Sequence, residues 1–175
     1  MKLSKTVCSA AFISGCAALL AFVPAKGNPK PLSSPAQPNY SDGRCVPVGG
    51  MVMTNFGVVD PSTTLGFATG DLKGAVAATL LGTPQPGSGG TVVFRVQHHW
   101  VTDSGDVITV DPAIATTIPV SDTLFAVVTY PVHITGGTGK FAGATGTITN
   151  IGEADLVKGT VFRYSGKVCF PRDDD

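Results

Sequence analysis

Between Thr91 and Thr102 the chain reads TVVFRVQHHWVT, and its apolar positions recur at every second residue. Val92, Phe94, Val96, His98 and Trp100 fall on one face; Val93, Arg95, Gln97, His99 and Val101 fall on the other. A period of two with one face much the more apolar predicts a strand laid on a core. The same reading predicts strands over 46–56, 71–81, 107–111, 123–134, 146–156 and 159–170. In 123–134 it places Leu124, Ala126, Val128, Tyr130, Val132 and Ile134 on the apolar face, and in 159–170 it places Phe162, Tyr164, Val168 and Phe170 there. Asp103 to Asp106 (DSGD) turns the chain into a hairpin, and GTPQPGSGG is loop by composition. Pro131 has no N–H to give a ladder, which predicts a bulge or an unpaired position. The alanines of 71–81 also suit a helix, but Gly74 and the breaker-rich flanks favour a strand. The count comes to about seven or eight strands, an all-β domain. Closing them into an antiparallel β-barrel of about eight strands removes the exposed edges, and a two-sheet sandwich is the other architecture.

The front of the chain follows a different pattern. Lys2 and Lys5 precede an apolar run from Val7 to Val23, and VPA ends at Ala25. That predicts a secretory signal peptide over 1–25 and a secreted or periplasmic protein. A retained membrane anchor is one alternative. Another is lipid attachment at Cys16, where ISGC has the shape of a lipoprotein box. Residues 26–44, rich in proline and serine, read as a flexible leader, 45–170 as the β domain and 171–175 as an acidic tail. With 1–25 removed, no membrane span is left. Of the four cysteines, Cys45 and Cys169 then remain, and in an exported chain they predict a disulfide; two buried free thiols are the other reading.

Removing Lys2 and Lys5 from the twelve basic residues leaves ten against twelve acidic ones. With no basic stripe, nucleic acid is not an expected partner. His98, His99 and His133 have no convergent spacing, so neither a metal nor a cofactor is expected.

HITGGTGKFAGATGTIT (133–149) has a glycine at roughly every third position. It is not a phosphate loop: Ile134 stands where a P-loop needs its first glycine, and Phe141 follows Lys140. The dinucleotide pattern fails at Ala142, and no helix pattern follows. Gly136, Gly137 and Gly139 instead suit a tight corner, with Phe141 as a large apolar plug beside it. The run Gly136-Gly137-Thr138-Gly139-Lys140-Phe141, then Ala144-Thr145-Gly146, resembles the corner motif of the allene oxide cyclase barrel-like superfamily, which includes the dirigent proteins. The upstream hairpin FRVQHHWVTDSGDVITVD resembles that of the bacterial, secreted members. This resemblance implies an eight-stranded antiparallel barrel, often a homodimer or homotrimer, with an interior pocket for hydrophobic molecules. It does not carry the cyclase's glutamate, asparagine and cysteine over to this chain. Glu153, its single glutamate, lies after the corner, and Cys169 is assigned to the bridge.

His98, Trp100 and Tyr130 are the candidate ligand-binding residues, because each shares a face with apolar neighbours and brings one polar atom. No catalytic grouping is legible from spacing. Two functions follow. In one, the interior binds a small hydrophobic molecule, and cofactor-independent cyclisation or isomerisation of that molecule is open to it without being required. In the other, the protein is a non-enzymatic structural or interaction module with a filled barrel.

Overall fold

Strand-forming runs punctuated by glycine and proline set the architecture. A computed structural model describes residues 45–57 and 59–171. The signal peptide expected over 1–25, the leader expected over 26–44, the lipid-attachment alternative at Cys16 and all but the first residue of the expected tail lie outside the described residues. Among the described residues eleven strands form: β1 (Cys45–Phe56), β2 (Thr63–Ala68), β3 (Gly74–Leu80), β4 (Gln85–Pro86), β5 (Val92–Thr102), β6 (Val107–Val110), β7 (Ala113–Pro119), β8 (Leu124–Thr129), β9 (Pro131–Gly137), β10 (Thr145–Asp155) and β11 (Gly159–Cys169). Three short 3-10 turns lie at Gly70–Leu72, Ser88–Gly90 and Gly139–Phe141.

The closed eight-stranded barrel predicted from the sequence does not form. The strands make one antiparallel sheet whose pairings return on themselves in a ring of eight, which is not a barrel. The reason lies in two breaks. Asp111-Pro112 separates β6 from β7, and Tyr130 alone separates β8 from β9. On one side β5 pairs with β6 through Trp100 and Val101, then with β7 through Val92 to Val96. β10 likewise pairs with β9 over 146–149 and with β8 over 152–155. Register shifts between Thr109 and Val110 and between Thr116 and Thr117 accompany the breaks. Pro112 has no N–H to donate and lies in the first break, and Pro131 stands at the first position of β9, directly after the second, opposite Thr149. The short β4 adds a further pairing to β5, off the ring.

The breaks also change which side chains turn inward. Phe125 and Val127 are buried in β8, not Leu124, Ala126 and Val128 as a straight strand over 123–134 predicts; Val128 is exposed. Parity is restored in β9, where Val132 and Ile134 are buried. Strands β2, β4 and β7 are absent from the sequence reading, β4 forming within the GTPQPGSGG stretch read as loop, and 71–81 divides into the 3-10 turn and β3.

A disulfide joins Cys45 to Cys169, which face each other in the β1–β11 register across 124 residues. In the chain-entropy model, closing a loop of this length contributes about 5 kcal/mol. At the same end, the Tyr164 hydroxyl donates to the Thr69 carbonyl (2.7 Å) and accepts from the Leu72 N–H (2.9 Å). Gly50 permits that approach, since a Cβ there would meet the Tyr164 oxygen and the Thr69 carbonyl. The glycine corner is tied to the β5–β6 hairpin: the Val107 N–H donates to Thr138 Oγ1, and the Thr138 N–H donates to the Val107 carbonyl. Gly139 adopts φ 51°, and its missing Cβ leaves room for the Asp106 carboxylate. Phe141 is buried against the Phe170 ring, 5.9 Å between centroids.

Candidate functional site

The ring's interior contains the predicted ligand-binding residues. In β5 the inward parity takes Phe94, Val96, His98 and Trp100 to the core side, and Arg95, His99 and Val101 to the exposed side. Trp100 is buried; its Nε1 donates to the Leu72 carbonyl at 2.8 Å, and its ring meets Tyr164 edge-on at 5.6 Å. Tyr130, at the break between β8 and β9, is buried and turns its hydroxyl to His98 Nε2, 2.7 Å away. The structure thus brings His98 and Tyr130 into contact, with Trp100 two residues along the same strand.

The breaks supply the polar surroundings. Gln97 Nε2 donates to the carbonyls of His98 and Val110, spanning the point where β5 passes from β7 to β6. Opposite, the backbone N–H and the side-chain Nδ2 of Asn150 both donate to the Tyr130 carbonyl. Asn150 is buried and lines the same cavity as His98 and Tyr130. It was not foreseen as a site residue, although it shares parity with the inward Ile148 and is polar. Thr54 and Thr160, hydroxyl to hydroxyl at 2.7 Å, also line the cavity.

The cavity measures about 60 Å³. Phe94, Val127 and Phe162 make much of its apolar wall. The Tyr130 ring meets Phe162 edge-on at 5.7 Å, and Phe94 meets Phe125 in the same way at 5.1 Å. The corner residues Gly136, Gly137, Gly139 and Phe141 are not among those that line the cavity.

Both polar groups of the pair are neutral at ordinary pH. Burial pushes the His98 imidazole down to about 4, with His99 adding to the effect, and burial pushes the Tyr130 phenol up. A general base works best with a pKa near the operating pH, and a buried imidazole at about 4 is a weak one. The arrangement suits holding a polar atom better than moving a proton.

His99 and His133 face outward; His133 Nδ1 is 3.0 Å from Thr147 Oγ1. Glu153 lies exposed on β10, and Cys169 is in the disulfide. Among the described residues, no group of three or more His, Cys, Asp or Glu side chains is placed to hold a metal ion. Among those residues, too, no helix is long and apolar enough to cross a membrane.

No family model matches the chain, and no curated protein matches it. Among solved structures, a pterocarpan synthase dirigent protein is similar, at 15% identity and a TM-score of 0.33 over 83% of this chain and 99% of that chain. The likeness is distant, and it does not extend to a bacterial, secreted kind of member.

Proposed function

We propose that this chain is an exported, non-enzymatic structural and interaction module whose interior is filled by its own side chains. The size of the cavity carries this reading: about 60 Å³, against roughly 300–1,000 Å³ for pockets that take drug-sized ligands. A flexible substrate cannot be held folded in that space, so the cyclase or isomerase reading is the weaker one. The neutral His98–Tyr130 pair supports the same choice.

Export belongs to the proposal: a signal peptide over 1–25, a leader over 26–44 and a tail over 171–175, with the protein secreted or periplasmic. Lipid attachment at Cys16 is the other route. The Cys45–Cys169 bond is of the kind that forms and persists in oxidising compartments.

The partner we propose is a second copy. On the outside, Val161, Met53, Phe67, Ala75, Val101 and Val107 follow one another in register across six strands. Half-exposed Phe67 stands beside a groove of about 460 Å³ walled by Gly66, Gly70, Gly74 and Ala75. The Lys73–Asp103 ion pair (3.3 Å) lies on its rim. A half-turn places each Phe67 in the other copy's groove and lets Lys73 meet the other copy's Asp103, the self-complementary contact that a two-fold dimer needs. This favours a homodimer over a homotrimer.

Native mass spectrometry of the protein recovered from its own host's medium tests these points together. The expected species is a dimer of chains beginning after Ala25, with the disulfide intact and no organic molecule of drug size. Phe67→Lys is expected to give monomers. A drug-sized ligand retained one per chain overturns the filled-interior reading, and a dimer that survives Phe67→Lys overturns the groove contact.

A further inference from the structure

The two breaks face each other across a seam in the wall of the ring. β5 leaves β7 after Val96 and joins β6 only at Trp100. β10 leaves β9 after Thr149 and joins β8 only at Gly152. Asp111-Pro112 and Tyr130 are the chain links that cross this seam. Side chains close it: Gln97 Nε2 donates to the Val110 carbonyl, Asn150 Nδ2 donates to the Tyr130 carbonyl, and the Tyr130 hydroxyl meets His98 Nε2. Elsewhere the ladder is continuous. β1 and β11 stay in register from Cys45 and Cys169 to Thr54 and Thr160, and β10 and β11 from Thr145 and Cys169 to Asp155 and Gly159.

We propose that the seam is an acid-operated opening: on protonation His98 releases Tyr130, the links at Asp111-Pro112 and Tyr130 move apart, and water enters the ring while the β10–β11–β1 wall stays paired. This goes beyond the module reading and stands independently of it. An imidazolium carries an N–H on both nitrogens. Nε2 then no longer accepts from the phenol, and Nδ1, which has no hydrogen-bond partner, adds a second stranded donor. A buried charge without a partner is strongly unfavourable. No neighbour answers it. Among the described residues that line the interior with His98, Tyr130 alone titrates; β1, β2, β3, β7, β8, β9, β10 and β11 supply apolar side chains, threonines and Asn150 there. On β5 itself His99 lies on the outer side, and its own positive charge opposes a second one. Asp111 is exposed at the seam. Turning His98 outwards hydrates the charge at the expense of the bridging contacts and not of a strand pairing. The proton selects the open state, because an imidazole in water takes it near 6.5 and the enclosed one only at about 4.

The test is native-state hydrogen exchange on the full chain in its disulfide-bonded form, at pH 7 and pH 4.5. It is read at two seam amides: Asn150, which donates to the Tyr130 carbonyl, and Asp111, which donates to the His133 carbonyl. Urea unfolding at the same pH values fixes the exchange that global unfolding alone allows. After correction for intrinsic exchange, the opening constant at both amides is expected to rise about fiftyfold from pH 7 to pH 4.5, the ratio set by titration at 6.5 when open and about 4 when closed. At pH 4.5 it is expected to exceed the global-unfolding limit, while amides in the β1–β11 ladder stay at that limit. His98→Phe removes the titrating group, and its opening constants are expected to agree at the two pH values. Seam amides that exchange only at the global limit at pH 4.5 overturn the proposal. So does an opening constant that is the same at both pH values in the wild type, or a β1–β11 ladder that opens as far as the seam. The wild-type comparison decides even if the variant does not fold. A drug-sized ligand found in the interior would count against the module reading and leave this result untouched.

Discussion

At the scale of single residues, His98 sets the acid limit of the fold. Its imidazole titrates at about 4 in the folded protein, below the ordinary 6.5. The unfolded chain therefore binds this proton first as the pH falls. Stability is full above about 6.5, declines as the pH falls through the window down to about 4, and the whole contribution is lost below it. A shift of this size corresponds to about 3 kcal/mol. Asp60 and Asp155 are also held low. Asp60 is held by the Ser62 hydroxyl and N–H, and Asp155 first by the Val157 N–H. Their contributions fall away only below the ordinary carboxylate value of 3.8, outside the histidine window. Urea unfolding at pH 7 and pH 4.5 is expected to show most of the loss in the wild type and almost none of it in His98→Phe. Equal losses in both would place the acid sensitivity elsewhere.

At the scale of elements, the glycine corner and the proline breaks differ in how clearly the sequence shows them. Gly139 takes the left-handed conformation, and Phe141 is buried beside Phe170, so the corner was legible from spacing and residue type alone. Replacing Phe141 with alanine is expected to lower stability by about 3–5 kcal/mol in urea unfolding under oxidising conditions. A loss under about 1 kcal/mol would mean that the ring contributes little. The breaks are half legible: the sequence predicts an irregular position at Pro131, whereas the break falls one residue earlier at Tyr130 and Pro131 pairs with Thr149, and a straight alternation over 123–134 misses it. A period of two cannot report a register shift, because each half on its own still alternates. That is why Phe125 and Val127 emerged on the inner face in place of Leu124, Ala126 and Val128. Strand β2 escaped because TTLGFA has a central glycine and a weak apolar alternation.

At the scale of the molecule, the outcome turns on how the ring of strands is filled. Sequence parity brought His98, Trp100 and Tyr130 to one interior, but it could not show that Tyr130 and Asn150 meet at a ladder break, because that contact joins a residue of β10 to the residue between β8 and β9, and alternation within one strand carries no information on it. Nor can a residue list give a volume; Phe94, Val127 and Phe162 reduce the space only once they face one another. The central claim, a filled interior, is tested most directly by titrating N-phenyl-1-naphthylamine, an uncharged apolar fluorophore, into the wild type and Phe162→Ala. The expected result is no saturable one-to-one signal in the wild type and a saturable one in the variant, whose removed ring leaves room. Stoichiometric binding to the wild type, weakened by substitutions at Val127 or Phe94, would contradict the account.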